Sequence, residues 1–138
     1  MKGDQLPAGD HVARFCARKY SSESEGVDPG AFMLRKDENH LSVQWLEYLK
    51  KAGRQEEIDE VREIFAKHLK IKPPAKIAVL NVGKTCEHVA WESEYRIRIL
   101  HQPDEAAEAH SGIFGTEQDA ELIAELITEN IQEIHSAL

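Results

Sequence analysis

The residues of this 138-residue chain whose types and spacing could do chemistry fall in four short stretches. In the first, Asp10, His11, Arg14 and Cys16 lie within seven residues. On a strand, His11 faces one side while Val12, Arg14 and Cys16 share the other, so a concerted His/Cys pair is not expected from this strand alone. Arg14 there suits a phosphate or a carboxylate, with a structural salt bridge as the plainer alternative. The second stretch is the densest: Asp37, Glu38 and His40 precede Ser42, Trp45, Glu47 and Tyr48. Acid, imidazole, hydroxyl and aromatic groups together suit proton transfer or ligand contact. They equally suit a helix capped by Ser42, with Trp45 and Tyr48 packed on a sheet and Glu47 paired with Lys50 or Lys51.

The third stretch, Gly83-Lys84-Thr85, follows an apolar run and ends as a phosphate-binding loop ends. The pattern needs a glycine where this chain has Ala78, and Val79 to Val82 read as strand, so nucleotide binding is not indicated. The fourth gathers His101, Asp104, Glu105, Glu108 and His110 in an expected loop, with a spacing that matches no compact zinc signature. No metal or cofactor is expected. His110-Ser111-Gly112 stands out locally, because Gly112 permits a tight turn that presents His110 and Ser111 near a helix N-terminus.

The elements that must position these groups follow from hydropathy. Residues 10–16 read as a first strand and the polar run from Ser21 to Pro29 as a loop closed by Asp28-Pro29-Gly30. Residues 31–35 read as a second strand. Ser42, followed by Val43, Leu46 and Leu49 at helical spacing, predicts a helix over 43–52 that Gly53 ends in a left-handed conformation, although Leu41 to Val43 also suit the start of a strand. Ile58, Val61, Phe65 and Leu69 predict a helix over 55–70, which Pro73-Pro74 stops. Residues 77–82 read as a strand buried on both faces, and Tyr95 to Ile99 alternate as a strand covered on one. A loop from His101 to Gly115 leads to Thr116 and Asp119 at capping-box spacing. Ala120, Ile123, Ile127, Ile131, Ile134 and Leu138 then form the stripe of a long last helix. The expected architecture is one α+β domain over 1–138, with a small mixed or antiparallel sheet of three to five strands packed against two or three helices.

Charge is unevenly placed. The chain carries −8, yet residues 101–138 hold nine of its 25 acids and none of its 17 Lys and Arg. That acidic region disfavours nucleic acid and suits a basic protein partner through Glu121, Glu125 and Glu129, or simply a solvated helix face. The two cysteines, Cys16 and Cys86, fit no disulfide framework or zinc site. No segment approaches the length of a membrane span and the amino terminus lacks a secretory signal, so a cytoplasmic protein is expected.

The phrases Asp10-His-Val-Ala-Arg-Phe-Cys16, Ala31-Phe-Met-Leu-Arg35, Leu41-Ser-Val-Gln-Trp-Leu-Glu-Tyr48 and His110-Ser-Gly-Ile113 resemble motifs of small, uncharacterised bacterial proteins. The resemblance covers most of the chain. It implies a bacterial cytosolic component, encoded within a multi-gene cassette, and brings no activity with it. Taken together, the residues favour a noncatalytic interaction protein or accessory subunit, with Trp45, Tyr48 and the acidic helix as docking groups. The alternative is a small hydrolase or transferase for a nucleotide-like or nucleic-acid substrate, requiring His11, Arg14, Ser42, Glu47 and His110 to converge. A homo-oligomer built through the last helix is a third reading.

Overall fold

A computed structural model describes residues 2–22, 26–117 and 120–138. Its strands are β1 (His11–Cys16), β2 (Ser21–Ser22), β3 (Gly26–Val27), β4 (Leu41–Trp45), β5 (Lys76–Asn81), β6 (Arg98–His101), β7 (His110–Phe114) and β8 (Ile131–Ser136). Its α-helices are α1 (Arg54–His68), α2 (Val82–Glu92) and α3 (Glu121–Thr128). The α+β class holds, with three helices, but the described strands exceed the three to five expected. Six form one antiparallel sheet in the order β6-β7-β4-β1-β5-β8, and β2 and β3 form a separate hairpin.

The sheet divides the core into two layers. Beneath one face, Ile58, Val61 and Phe65 of α1 pack on Ala13, Ile77 and Val79. The spacing of those three α1 residues is the helical stripe the sequence announces; Leu69, read as its fourth member, lies just past the helix and is largely exposed. Across the other face, α3 rests on the 3-10 turn Pro29–Phe32, and Ile123, Ile127, Phe32 and Val89 close over Val12, Val43, Leu80, Ile99 and Ile113. Lys76–Asn81 is the buried strand expected of its apolar run, paired on both sides.

Expectations for several elements are corrected. Residues 43–52 are not a helix: Leu41–Trp45 is β4, held between β1 and β7, and only Glu47–Leu49 turns as a 3-10 helix. Lys50, not Gly53, takes the left-handed conformation, while Gly53 is the extended N-cap of α1. Residues 31–35 are not a strand, because Asp28 accepts from the Gly30 amide and winds Pro29–Phe32 into a turn. His110 begins β7 rather than a helix-facing loop.

A further correction is the last helix, which ends at Thr128. Asn130 donates its side-chain amide to the Leu126 carbonyl, and the chain then turns into β8. A bulge opposite Val79 and Leu80 lets Ile131 pair with Leu80 and Ile134 with Ala78, so two residues three apart share one face of a strand. That spacing imitates a helix. The N-cap of α3 is Ala120, without a side-chain cap; the expected Thr116/Asp119 box falls partly on Asp119, outside the described residues.

Candidate functional site

The corner where β1 begins and β4 ends ties together residues 35 positions apart. Trp45 donates its indole N–H to Asp10 Oδ2 at 2.8 Å. Glu47 closes on His11 with both oxygens: Oε1 accepts the His11 backbone N–H at 2.7 Å, and Oε2 lies 2.7 Å from Nδ1. A carboxylate only accepts, so the proton in that contact sits on Nδ1, leaving Nε2 to give or take a proton. Glu57 on α1 is close enough for its charge to be felt. Burial raises the Glu57 carboxyl pKa, Glu47 adds to the rise, and Arg54, bonded to Glu57 at 2.7 Å, opposes it.

On the opposite side of β4, Trp45, Tyr48 and His101 form a three-ring cluster with centroids 5.1 to 5.3 Å apart. Tyr48 donates to Glu108 at 3.4 Å, and His101 Nε2 meets the Glu108 carbonyl at 2.8 Å. The rings expected to dock a partner are thus engaged with one another, and both Trp45 and Tyr48 are half-buried.

Arg14 is committed elsewhere. Its Nε donates to the Ala31 carbonyl at 2.9 Å and its Nη1 to the Ser42 carbonyl at 2.8 Å, where β1 and β4 part. Burial lowers its pKa, and the guanidinium acts as a strut between backbone segments.

Ser42 and His110 share the α1 side of the sheet, since Ser42 pairs with Gly112 and Gln44 with His110. Among the described residues that half of the face is only partly covered: Ser42 and Arg98 are exposed, and His110, Phe114 and Leu100 half-buried. His40 lies over Gly112, stacked on Phe114 at 4.9 Å and edge-on to His110 at 5.8 Å. A Cβ at position 112 would meet His40 Cδ2 at 2.6 Å, which is why the motif carries glycine. His110 Nδ1 meets the Gln102 carbonyl at 2.7 Å, with Asp104 at 3.6 Å. Gln44 is buried there, and its Oε1 has no partner among the described residues.

The five candidate catalytic residues therefore do not form one constellation. His11 joins Glu47 where β1 begins, Ser42 lies at the other end of β4, His110 lies beyond β4 on β7, and the guanidinium of Arg14 is spent on backbone. Among the described residues no three of His, Cys, Asp and Glu gather so as to hold a metal ion. Gly83-Lys84-Thr85 is the first turn of α2: Asn81 caps the Lys84 amide at 2.8 Å, and Gly83 lets Ala8 approach, where a Cβ would come within 2.9 Å. Cys16 and Cys86 are free thiols, each pushed by burial to a pKa of about 11.

What sequence reading missed is the outer face of α2. Trp91 is 86% exposed and, with Lys84, Glu87, His88, Ala90 and Arg96, lines an open groove of about 630 Å³. Trp91 stands three residues from His88, four from Glu87 and seven from Lys84, a helical stripe visible once residues 82–92 are read as a helix. Beside α2 packs α3, whose outer residues Glu121, Leu122 and Glu125 are exposed, with Glu129 at its end 3.9 Å from His88. The chain matches no family model, and neither a curated protein nor a solved structure is found similar to it.

Proposed function

We propose that this chain is a noncatalytic interaction module, an accessory subunit of a bacterial multicomponent system, that recognises another protein through the outer face of α2 and α3. The exposure of Trp91 carries the reading. A tryptophan buries more area than almost any other side chain when a partner covers it, and Trp and Arg dominate the energetic centres of protein interfaces. Trp91 and Arg96 line one groove, and Glu121, Glu125 and Glu129 set an acidic border on the adjacent helix that favours a basic counterpart. No helix of the described residues is long and apolar enough to cross a membrane.

The test is a photo-crosslinking residue placed at position 91, or at Lys36 as a control, in tagged protein expressed at native level in a bacterial host that carries the natural gene. The expected result is one dominant protein adduct from position 91, none from 36, and loss of that adduct when Glu121, Glu125 and Glu129 are changed to Gln. A copurifying nucleotide with no protein adduct would overturn the reading.

A hydrolase or transferase acting on a nucleotide-like or nucleic-acid substrate is the second reading, and the His11/Glu47 pair favours it. A carboxylate-anchored imidazole is the usual form of a general base. Under this reading His11→Gln abolishes turnover of a nucleotide substrate panel while leaving the fold intact; absence of any turnover by the unaltered protein removes it.

A further inference from the structure

The two edges of the six-stranded sheet are treated differently. The outer edge of β6 is occupied: Gly3 and Leu6 donate to the carbonyls of His101 and Ile99, and the His101 amide donates to Asp4. Among the described residues no strand pairs with the outer edge of β8. Ala137 donates to Ala75, so Glu133 and His135, beyond the bulge, turn their backbone groups toward β5 and Ile134 and Ser136 turn theirs outward. The Ser136 carbonyl points the same way but already accepts from Arg62 at 3.0 Å, which caps that end of the edge and leaves the amide and carbonyl of Ile134 to carry the pairing. Ile134 is 44% exposed.

We infer that β8 is a homodimer edge, pairing antiparallel with β8 of a second copy about a two-fold axis at Ile134. The register follows from chemistry. Backbone bonding requires outward residues to face outward residues, so allowed registers differ by steps of two. Centring on Ile134 sets that residue against its own copy as a hydrogen-bonded pair. It also places Glu133 opposite the second copy's His135, and His135 opposite its Glu133, as close non-hydrogen-bonded pairs on the α1 face. One step in either direction sets Glu133 against Glu133 or His135 against His135, and leaves Ile134 facing a polar residue. The edge is self-complementary in one register, which is what an isologous contact demands. A single strand edge buries far less than the roughly 1,600 Å² of a standard interface, so micromolar or weaker affinity is expected.

Sedimentation equilibrium from micromolar to millimolar protein should show a dimer. Ile134→Lys, which opposes two ammonium groups at the axis, should give a monomer with unchanged circular dichroism and melting temperature. Under mild oxidation Ile134→Cys should cross-link to itself, because a hydrogen-bonded pair holds its Cα atoms about 5.5 Å apart, within disulfide reach. Gln132→Cys should not, its two copies being roughly 13 Å apart along the strands. Trp91→Ala should leave the dimer intact, which separates this surface from the partner face of α2 and α3. A monomer at millimolar concentration, a dimer indifferent to Ile134→Lys, or faster cross-linking through position 132 would overturn the inference.

Discussion

Arg14 and His40 show at the residue scale how position decides what a charged or titratable group can do. The guanidinium of Arg14 satisfies the carbonyls of buried Ala31 and exposed Ser42, and lies 5.9 Å from the Phe32 ring centre. Removing it orphans both acceptors. Arg14→Met should therefore cost about 2–4 kcal/mol in urea unfolding, with Arg14→Lys recovering only part, because an ammonium cannot span both carbonyls as the fork does. His40 is held below the ordinary imidazole value of 6.5 by burial first and by the neighbouring His110 second. The folded protein thus resists a proton that the unfolded chain accepts. Stability from this site is complete above 6.5 and declines as pH falls below it toward the lower folded value. His40→Gln should flatten that part of the stability profile in thermal melts taken from pH 8 to 5; an unchanged profile would mean that His40 keeps its solution affinity for protons.

Elements were decided by contacts that local spacing cannot see. Val43, Leu46 and Leu49 repeat as in a helix, but Leu41 and Val43 bury one side of a strand because β1 and β7 flank them. A short apolar run supports either reading until its neighbours are known. Gly112 of β7 illustrates the same dependence, since its need for a missing side chain arises from His40, 72 positions away. Gly112→Ala should cost about 1–3 kcal/mol by displacing the His40 ring from Phe114. In a His40→Ala background the same change should cost markedly less, a coupling that chemical denaturation of the four proteins in the cycle measures directly.

For the whole molecule, the treatment of sheet edges is the organising fact. The N-terminal segment seals β6, with Leu6 only 2% exposed. Deleting residues 2–6 should remove the burial of that side chain, about 1.5–3 kcal/mol, and bare a second edge. The expected outcome is a lower melting temperature and concentration-dependent light scattering. The opposite edge, β8, keeps Glu133 ionised: burial works against its charge, but hydrogen bonds from His135 and Arg54 and the Arg54 charge outweigh that, and its pKa is lowered. The two surfaces proposed for partners, the β8 edge and the α2/α3 face, share no residue.

By itself the sequence determined the α+β class, helix α1, the buried strand β5 and the acidity of the C-terminal region, because each is written in local periodicity or composition. It also showed His11, Glu47, Ser42 and His110 as groups capable of chemistry. Tertiary structure alone decided that His11 meets Glu47, that Arg14 is a strut, that His40 covers Gly112, and that the last apolar stripe breaks into a helix and a bulged strand. These depend on pairing across 17 to more than 70 positions. Spacing along the chain constrains such pairings weakly, since one two-residue step of register or one inserted residue changes which side chains meet.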